Sequence, residues 1–153
     1  MTGTCAVRPV RPDDLEQWLP LWEGYNAFYG RAGESALPTE ITRLTWQRFL
    51  DPQVPVFALV AEEAGRLAGL AHYLHHHSTT RAEQTCYLQD LFTASARRGQ
   101  GIGRALILGV YEQARRAGIR RVYWQTQEGN TPGRRLYDKL GTHFGFIVYS
   151  HEL

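Results

Sequence analysis

Residues 86–117, CYLQDLFTASARRGQGIGRALILGVYEQARRA, decide the fold. Residues 86–93 have the composition of a β-strand. From residue 102 onward, apolar side chains recur at helical spacing, at Leu106, Val110 and Ala114. The segment therefore predicts a strand and a long amphipathic helix, joined by a short loop rich in glycine and arginine.

This loop has the character of an anion-binding site. Backbone N–H groups and the helix dipole both favour negative charge where a glycine loop opens a helix. Gly99, Gly101 and Gly103 permit close approach to a ligand, and Arg97 and Arg98 add charged donors. The loop lacks the ending of a P-loop and the glycine spacing of a dinucleotide fold. A strand–helix turn without a ligand is the alternative.

Two segments carry a resemblance to a known family. Arg98-x-x-Gly101-x-Gly103 after a strand resembles the acetyl-CoA signature of the GNAT superfamily of N-acetyltransferases. Residues 130–146, NTPGRRLYDKLGTHFGF, are similar to the second conserved block of that superfamily. Two blocks in the right order and spacing are more specific than either alone, and the resemblance covers essentially the whole chain.

The resemblance extends to one branch of the superfamily. Residues 87–92 and 22–29 look most like the small diamine, polyamine and histone acetyltransferases. It implies an α+β GNAT fold, with a mixed, mostly antiparallel central sheet that splays at the acetyl-CoA site and is flanked by helices. It also implies acetyl transfer from acetyl-CoA to a primary amine of a small cationic, polyamine-like substrate, by direct attack in a ternary complex. A homodimer is common in this branch.

The resemblance also implies site residues. The expected acetyl-CoA contacts are Leu91, Phe92, Thr93, Arg97, Arg98, Gly99, Gln100, Gly101, Ile102, Gly103, Arg104 and Asn130. Tyr137 matches the proton donor to the coenzyme A thiolate, since a phenol and a thiol have comparable pKa values. Asn130 also fits the N-cap of a helix, which would explain it without a ligand.

The general base is the weakest part of the match. Related polyamine enzymes often have Glu-Asp in this strand, whereas this chain has Gln89-Asp90, and Gln89 cannot accept a proton. The base is therefore Asp90, a water chain or another carboxylate such as Glu128. Alternation places Gln89 and Asp90 on opposite faces, one against a helix and one in the cleft. Tyr25, Tyr29 and Gln89 are the candidates for substrate contact.

The chain of 153 residues predicts a single N-acetyltransferase domain over residues 1–153. Strands and helices are expected throughout. The expected strands are 6–10, 54–62, 66–77, 85–93, 121–127 and 144–152, and the further helices begin at Asp13 or Asp14, at Thr39 and at Asn130.

The distribution of charge along the chain indicates which kinds of molecule it could bind. The net charge is +2, but residues 1–96 sum to −4 and residues 97–153 to +6. The acidic half would attract a cationic amine, and the basic half contains the proposed cofactor loop. The basic residues do not form one helical stripe with interleaved aromatics, which argues against nucleic acid.

The cysteines and histidines give expectations about the cellular compartment and about metal binding. No signal peptide or membrane-spanning stretch is expected, and two cysteines, Cys5 and Cys86, suit a reducing cytoplasm. His75-His76-His77 lacks a cysteine or carboxylate at ligand spacing, so no metal is expected. The alternatives for function are a protein or peptide lysine acetyltransferase and a non-catalytic acyl-CoA-binding module.

Overall fold

The structure is a computed structural model that describes residues 4–153. Residues 4–153 form five β-strands and four α-helices. In order, the elements are β1 (Ala6–Pro9), α1 (Leu15–Phe28), α2 (Thr39–Leu50), β2 (Val56–Glu63), β3 (Arg66–His76), β4 (Thr85–Thr93), α3 (Ile102–Arg116), β5 (Val122–Tyr123) and α4 (Thr131–Leu140). The predicted α+β class is confirmed.

The sheet opens beside β4. Its strand order is β1-β2-β3-β4-β5; the first four strands are antiparallel to their neighbours, and β5 is parallel to β4. The β4–β5 ladder pairs Cys86 with Val122 and Tyr87 with Tyr123, and then ends. From Leu88 to Thr93, β4 has no strand partner on that side within residues 4–153. The predicted mixed, mostly antiparallel and splayed sheet is confirmed.

One apolar core lies between the sheet and α3. Leu106, Ile107 and Val110 of α3 are fully buried against the sheet, where they meet Leu59 and Leu88. Their spacing of three and four residues places them on one face of the helix. This packing holds the first turn of α3 at the open part of β4.

A second core covers the opposite face of the sheet and is mainly aromatic. Trp18 and Trp22 of α1 stack with their ring centroids 5.7 Å apart, and Trp46 of α2 lies 4.8 Å from Trp18. Leu70 of β3 completes the cluster and is fully buried. Most of the aromatic face of α1 is therefore core, with its last turn left to reach the cleft.

The starts of the first two helices differ from the expected caps. Asp14 occupies the N-cap position of α1, but its side chain makes no cap bond. Its carboxylate instead accepts the backbone N–H of Arg11 and pairs with Arg8 of β1, each at 2.7 Å. Arg8 holds the pKa of Asp14 below its ordinary value. Pro38, rather than Thr39, is the N-cap of α2.

One predicted strand is shorter than expected and another is absent. The strand expected over 121–127 is reduced to the two residues of β5, because β4 and β5 diverge and leave residues 124–127 without a strand to pair with. Residues 144–152 form no strand at all, and the large apolar side chains from Phe144 to Tyr149 are exposed. Within residues 4–153, no sheet edge pairs with this segment.

Candidate active site

The candidate site is part of a cleft of about 1820 Å³, which extends from α1 and α2 past the gap between β4 and β5 to α4 and the residues after it. The last turn of α1, the middle of β4 and helix α4 contribute side chains to its walls. The N-terminus of α3 follows directly from the open half of β4 through a short turn. An extended ligand in the opening could therefore reach from the helix N-terminus to the cleft.

The loop before α3 presents a run of unused backbone donors. Among residues 4–153, no acceptor is hydrogen-bonded to the backbone N–H groups of residues 98–104; the first bond of the helix runs from Ala105 to Gly101. Gly99 and Gly101 have positive φ angles of 75° and 81°, which a glycine adopts without strain. A Cβ on either would meet no other atom within 4 Å. Open donors at a helix N-terminus fit a phosphate group.

The arginines around this loop have different surroundings. Arg97 is engaged in an ion pair with Glu63 and a hydrogen bond to Gln100, so its charge is already partnered. Arg98 lies over the ring of Phe92, with its guanidinium carbon 5.6 Å from the ring centroid. Arg104 is exposed and has no ion pair among the described residues. Arg98 and Arg104 are thus better placed than Arg97 to meet an incoming phosphate.

A β-bulge in β4 determines where Asp90 points. His72 of β3 pairs with Asp90 and Tyr73 pairs with Leu88, so Gln89 is the extra residue. Leu88 belongs to the α3 core, and Asp90 contacts residues of the α1 side. Gln89 is exposed and Asp90 is buried. Because simple alternation fails at a bulge, the face of Asp90 was not readable from the sequence.

A chain of hydrogen bonds fixes the tautomer of His72 and the position of the Asp90 carboxylate. The indole N–H of Trp18 donates to Nε2 of His72 at 3.0 Å, and Nδ1 of His72 lies 2.9 Å from Oδ2 of Asp90. An indole can only donate, so Nε2 must be the unprotonated acceptor. The ring proton therefore sits on Nδ1 and is donated to Asp90. The network fixes the tautomer of His72 and holds the Asp90 carboxylate in one orientation.

Aromatic residues at the end of α1 surround this carboxylate. Burial raises the pKa of the Tyr25 phenol, and the charge of Asp90 raises it further. The ring of Tyr29 lies 5.0 Å from that of Tyr25, and the guanidinium carbon of Arg31 is 5.9 Å and 5.6 Å from the two ring centroids. Nε of Arg31 donates to Asn26 at 2.6 Å. Its two terminal nitrogens have no acceptor within residues 4–153, so they remain available to an anion.

Tyr137 of α4 stands on the other side of the cleft. Its ring packs edge-on against Trp124, with centroids 5.7 Å apart, and its hydroxyl makes no hydrogen bond within the described part of the chain. Burial raises the pKa of this phenol, which keeps it protonated at neutral pH. An accessible O–H without a partner, on a partly buried ring, is a donor that a bound ligand could use.

The other residues predicted to contact acetyl-CoA lie in β4 and at the start of α4. Leu91, Phe92 and Thr93 lie in the open half of β4, where one edge pairs with β3 and the other has no strand neighbour among the residues that the structure describes. Asn130 is the N-cap of α4, as predicted: its side chain accepts the N–H of Gly133 at 3.3 Å. Its amide nitrogen donates to a threonine hydroxyl at 3.0 Å, so both ends of the side chain are used internally.

Sequence reasoning did not select His72, Trp18 or Arg31 as site residues. His72 and Trp18 are separated by 54 positions, and only the packing of α1 on β3 brings them together. Arg31 lies just beyond α1, in a segment whose sequence predicts an ordinary polar loop. No local motif marks any of the three.

Comparison with known proteins identifies the family. The model of the acetyltransferase (GNAT) family matches residues 18–142. The chain belongs to the GNAT family. HPA3 of Saccharomyces cerevisiae, a D-amino-acid N-acetyltransferase, is 34% identical over 149 residues, which cover 96% of this chain and 90% of that protein. The chain is therefore an acetyl-CoA-dependent N-acetyltransferase, with acetyl-CoA as its co-substrate.

Two further GNAT comparisons bear on the acceptor and the fold. Phosphinothricin N-acetyltransferase of Alcaligenes faecalis is 34% identical over 107 residues, which cover 68% of this chain and 52% of that protein. The structure of AAC(6')-Iy in complex with a bisubstrate analogue, CoA-S-monomethyl-acetylneamine, superposes with a TM-score of 0.82 at 16% identity, over 98% of this chain and 99% of that one. The last likeness shows the GNAT fold. None of these proteins supports the narrower polyamine and histone branch.

The described residues form neither a metal-binding cluster nor a membrane-spanning helix. Within residues 4–153, no group of three or more His, Cys, Asp or Glu side chains is arranged to hold a metal ion. His76 of the histidine cluster is hydrogen-bonded to the hydroxyl of Tyr123 at 2.7 Å, and His75 packs on Phe57. No helix in the same range is long and apolar enough to cross a membrane.

Proposed function

We propose that this GNAT enzyme acetylates the amino group of an amino acid or a close analogue, a small substrate that carries both an amine and a carboxylate. The observation that carries the proposal is the pairing of charges around Tyr25. The Asp90 carboxylate lies near the Tyr25 phenol, and the guanidinium carbon of Arg31, whose terminal nitrogens have no partner within residues 4–153, is 5.9 Å from the ring centroid. A zwitterion presents the complementary pair, and the relation to a D-amino-acid N-acetyltransferase agrees with this.

Coenzyme A would be held along the open edge of β4. The unused N–H groups of residues 98–104 would bind its phosphates, with Arg98 and Arg104 as charged support. The free backbone edge of residues 91–93 would hydrogen-bond the pantetheine arm. This arrangement uses the predicted cofactor contacts except Arg97 and Asn130, whose side chains have other partners.

Asp90 would bind the substrate ammonium group and accept one of its protons. The resulting amine nitrogen attacks the thioester carbonyl carbon, and the carbon–sulfur bond breaks as the amide forms. Tyr137 donates its phenol proton to the departing thiolate, and the nitrogen gives up its remaining extra proton through water to the phenolate. Products are the N-acetyl substrate and the free thiol of coenzyme A, with one proton left on Asp90.

Direct transfer is favoured over an acetylated protein because no thiol is available in the cleft. Cys86 is fully buried in the α3 core, and burial raises its pKa to about 12. Cys5 precedes β1, at the far edge of the sheet from β4, and its pKa is also raised. A thiolate is the reactive form of cysteine, so neither residue suits a covalent intermediate.

A diamine or polyamine substrate is the second candidate, as the sequence predicted. The negative charge of Asp90 and the aromatic rings of Tyr25 and Tyr29 would suit a cation without a carboxylate.

We further propose that residues 1–153 act as one domain, in the cytoplasm and as a homodimer, on small molecules rather than on nucleic acid or membranes. The unpaired cysteines support the reducing compartment.

The acceptor proposal is tested by thiol release from acetyl-CoA with D- and L-amino acids, diamines, aminoglycosides and lysine peptides. We expect amino acids to be the best acceptors. Arg31→Gln should raise KM for them about tenfold to a hundredfold, since a charge-assisted bond is worth about 1.5–3 kcal/mol, and should leave diamines unaffected. Arg43→Gln, which changes an exposed arginine of α2, is the control. Efficient release with diamines or peptides alone would contradict the proposal.

We expect Tyr137→Phe to lower kcat by at least about tenfold with little change in KM for acetyl-CoA. The phenol proton would be lost while the ring that packs on Trp124 remains. Steady-state kinetics from pH 6 to 10 measure this effect. An unchanged kcat across that range would mean that another group protonates the thiolate.

A further inference from the structure

One buried polar side chain beside the cleft, that of Asn26 in the last turn of α1, takes no part in the proposed acetyl transfer. Asn26 is 4% exposed. Its amide nitrogen donates to the carbonyl of Trp22 at 2.9 Å, and its amide oxygen accepts the Nε–H of Arg31 at 2.6 Å. A carbonyl can only accept and a guanidinium can only donate, so the amide has one orientation. Asn26 therefore links the side chain of Arg31 to the helix.

The backbone after α1 ties Arg31 to the same residue. The N–H of Gly30 donates to the carbonyl of Ala27 at 3.0 Å, and the N–H of Arg31 donates to the carbonyl of Asn26 at 2.9 Å. These two bonds, with Gly30 at a φ of 80°, form a Schellman motif, in which the chain turns back at the end of a helix. Arg31 is therefore bonded to Asn26 twice, through its main chain and through its side chain.

This double attachment determines which edge of the Arg31 guanidinium is free. The guanidinium carbon lies 5.9 Å from the ring centroid of Tyr25 and 5.6 Å from that of Tyr29, so the group is held against the aromatic wall of the cleft. Since Nε is bonded to Asn26, the free edge carries both terminal nitrogens, which have no acceptor within residues 4–153. A carboxylate pairs best with two parallel N–H groups of a guanidinium. The free edge therefore matches a carboxylate.

We propose that Asn26 is a positioning residue that favours acceptors with a carboxylate, because it holds Arg31 ready for a bidentate ion pair. The inference rests on the proposed amino-acid acceptor. A free arginine side chain would lose rotamer freedom when it bound the acceptor, whereas a side chain held by Asn26 has lost that freedom on folding. Asn26 is uncharged, so it leaves the attraction of Asp90 for the amine unaltered. An amine without a carboxylate would gain no affinity from it.

A matched pair of acceptors, an amino acid and its own carboxamide, isolates this contribution in steady-state kinetics. The two share the side chain and the reacting amine, and only the first carries the carboxylate. The KM ratio of the pair in each variant is compared with the wild-type ratio, so the different basicity of the two amines cancels. Asn26→Leu should raise KM for the amino acid about three- to tenfold, the effect of immobilising one long side chain on binding, and leave KM for the carboxamide within about twofold. A merely structural role would raise both.

Thr42→Val is the matched control variant. It removes another hydrogen bond to α1, the one from the indole N–H of Trp22 at 3.1 Å, which does not involve Arg31. The KM ratio should therefore stay at the wild-type value. Asn26→Leu combined with Arg31→Gln should change the ratio no further than Arg31→Gln alone, since the arginine that Asn26 positions is gone. Additive effects of the two substitutions would overturn the proposal.

Arg31→Lys tests the proposal without a change to a buried side chain, because Arg31 is partly exposed. Lysine keeps the charge but lacks the planar set of donors that Asn26 and a carboxylate would share. KM for the amino acid should therefore rise nearly as far as in Arg31→Gln, and a value near that of the wild type would overturn the proposal.

Two outcomes separate this inference from the proposed acceptor. No preference for the amino acid over its carboxamide, in the wild type or in Arg31→Gln, would overturn both. A wild-type preference that Arg31→Gln abolishes and Asn26→Leu leaves intact would overturn the role of Asn26 alone, as would equal losses with both acceptors in Asn26→Leu.

Discussion

Gly101→Val is expected to weaken coenzyme A binding by at least about a hundredfold. Gly101 is the N-cap of α3 with φ of 81°, a conformation that a β-branched residue adopts only with strain. Relief of that strain would turn the N–H groups of residues 98–104 away from a common centre. Loss of two bonds to a charged phosphate, at about 1.5–3 kcal/mol each, accounts for the expected effect. Calorimetric titration with coenzyme A measures it.

The control for this variant lies at the other end of the same helix. Gly118 follows α3 with φ of 74°, and a Cβ there would also meet no atom within 4 Å. Gly118→Val should therefore lower the melting temperature about as much as Gly101→Val and leave coenzyme A affinity unchanged. Equal losses of affinity in the two variants, or none in either, would contradict the assignment of the loop as the phosphate site.

Asp90→Asn is expected to lower kcat/KM for the amine by about 10²- to 10⁴-fold, the usual range for removal of a positioned acid or base. Asparagine keeps the shape of the side chain, and its carbonyl oxygen can still accept the Nδ1–H of His72. The loss would therefore report the missing charge and proton acceptor rather than a collapsed site. KM for acetyl-CoA should stay within a factor of two or so of the wild-type value.

Glu128 provides the comparison for this second prediction. It is the other carboxylate considered as a base, it also lines the cleft, and it is exposed. Glu128→Gln should retain kcat/KM within about threefold, a change under 1 kcal/mol. A large loss in Glu128→Gln together with near-normal Asp90→Asn would transfer the role of base to Glu128.

The fold was largely predictable because its signals are local. The apolar spacing at Leu106, Val110 and Ala114 predicted α3, and the sequence composition predicted β4 at the bounds that the structure has. Asn130 was recognised as a cap from its position before Pro132 and the helix. The turn into α3 was predictable because Gly99 and Gly101 permit positive φ.

The acceptor side of the site was not predictable in the same way. The bulge at Gln89 changes which residues of β4 face α1, and no local sequence pattern predicts a bulge. The bond from Trp18 to His72 depends on how α1 packs across β3, which is a long-range contact. The strand predicted over residues 144–152 failed for a related reason: its residues have strand character, but no strand pairs with them within residues 4–153.

Initial-rate kinetics with both substrates varied test the central claim most directly, that the amine attacks acetyl-CoA itself while both are bound. Thiol release is measured at several fixed amine concentrations across a range of acetyl-CoA, with mass spectrometry of the protein after incubation with acetyl-CoA alone. Intersecting double-reciprocal lines and an unmodified protein are the predicted result. Parallel lines, together with an acetyl group retained on the chain, would contradict the account.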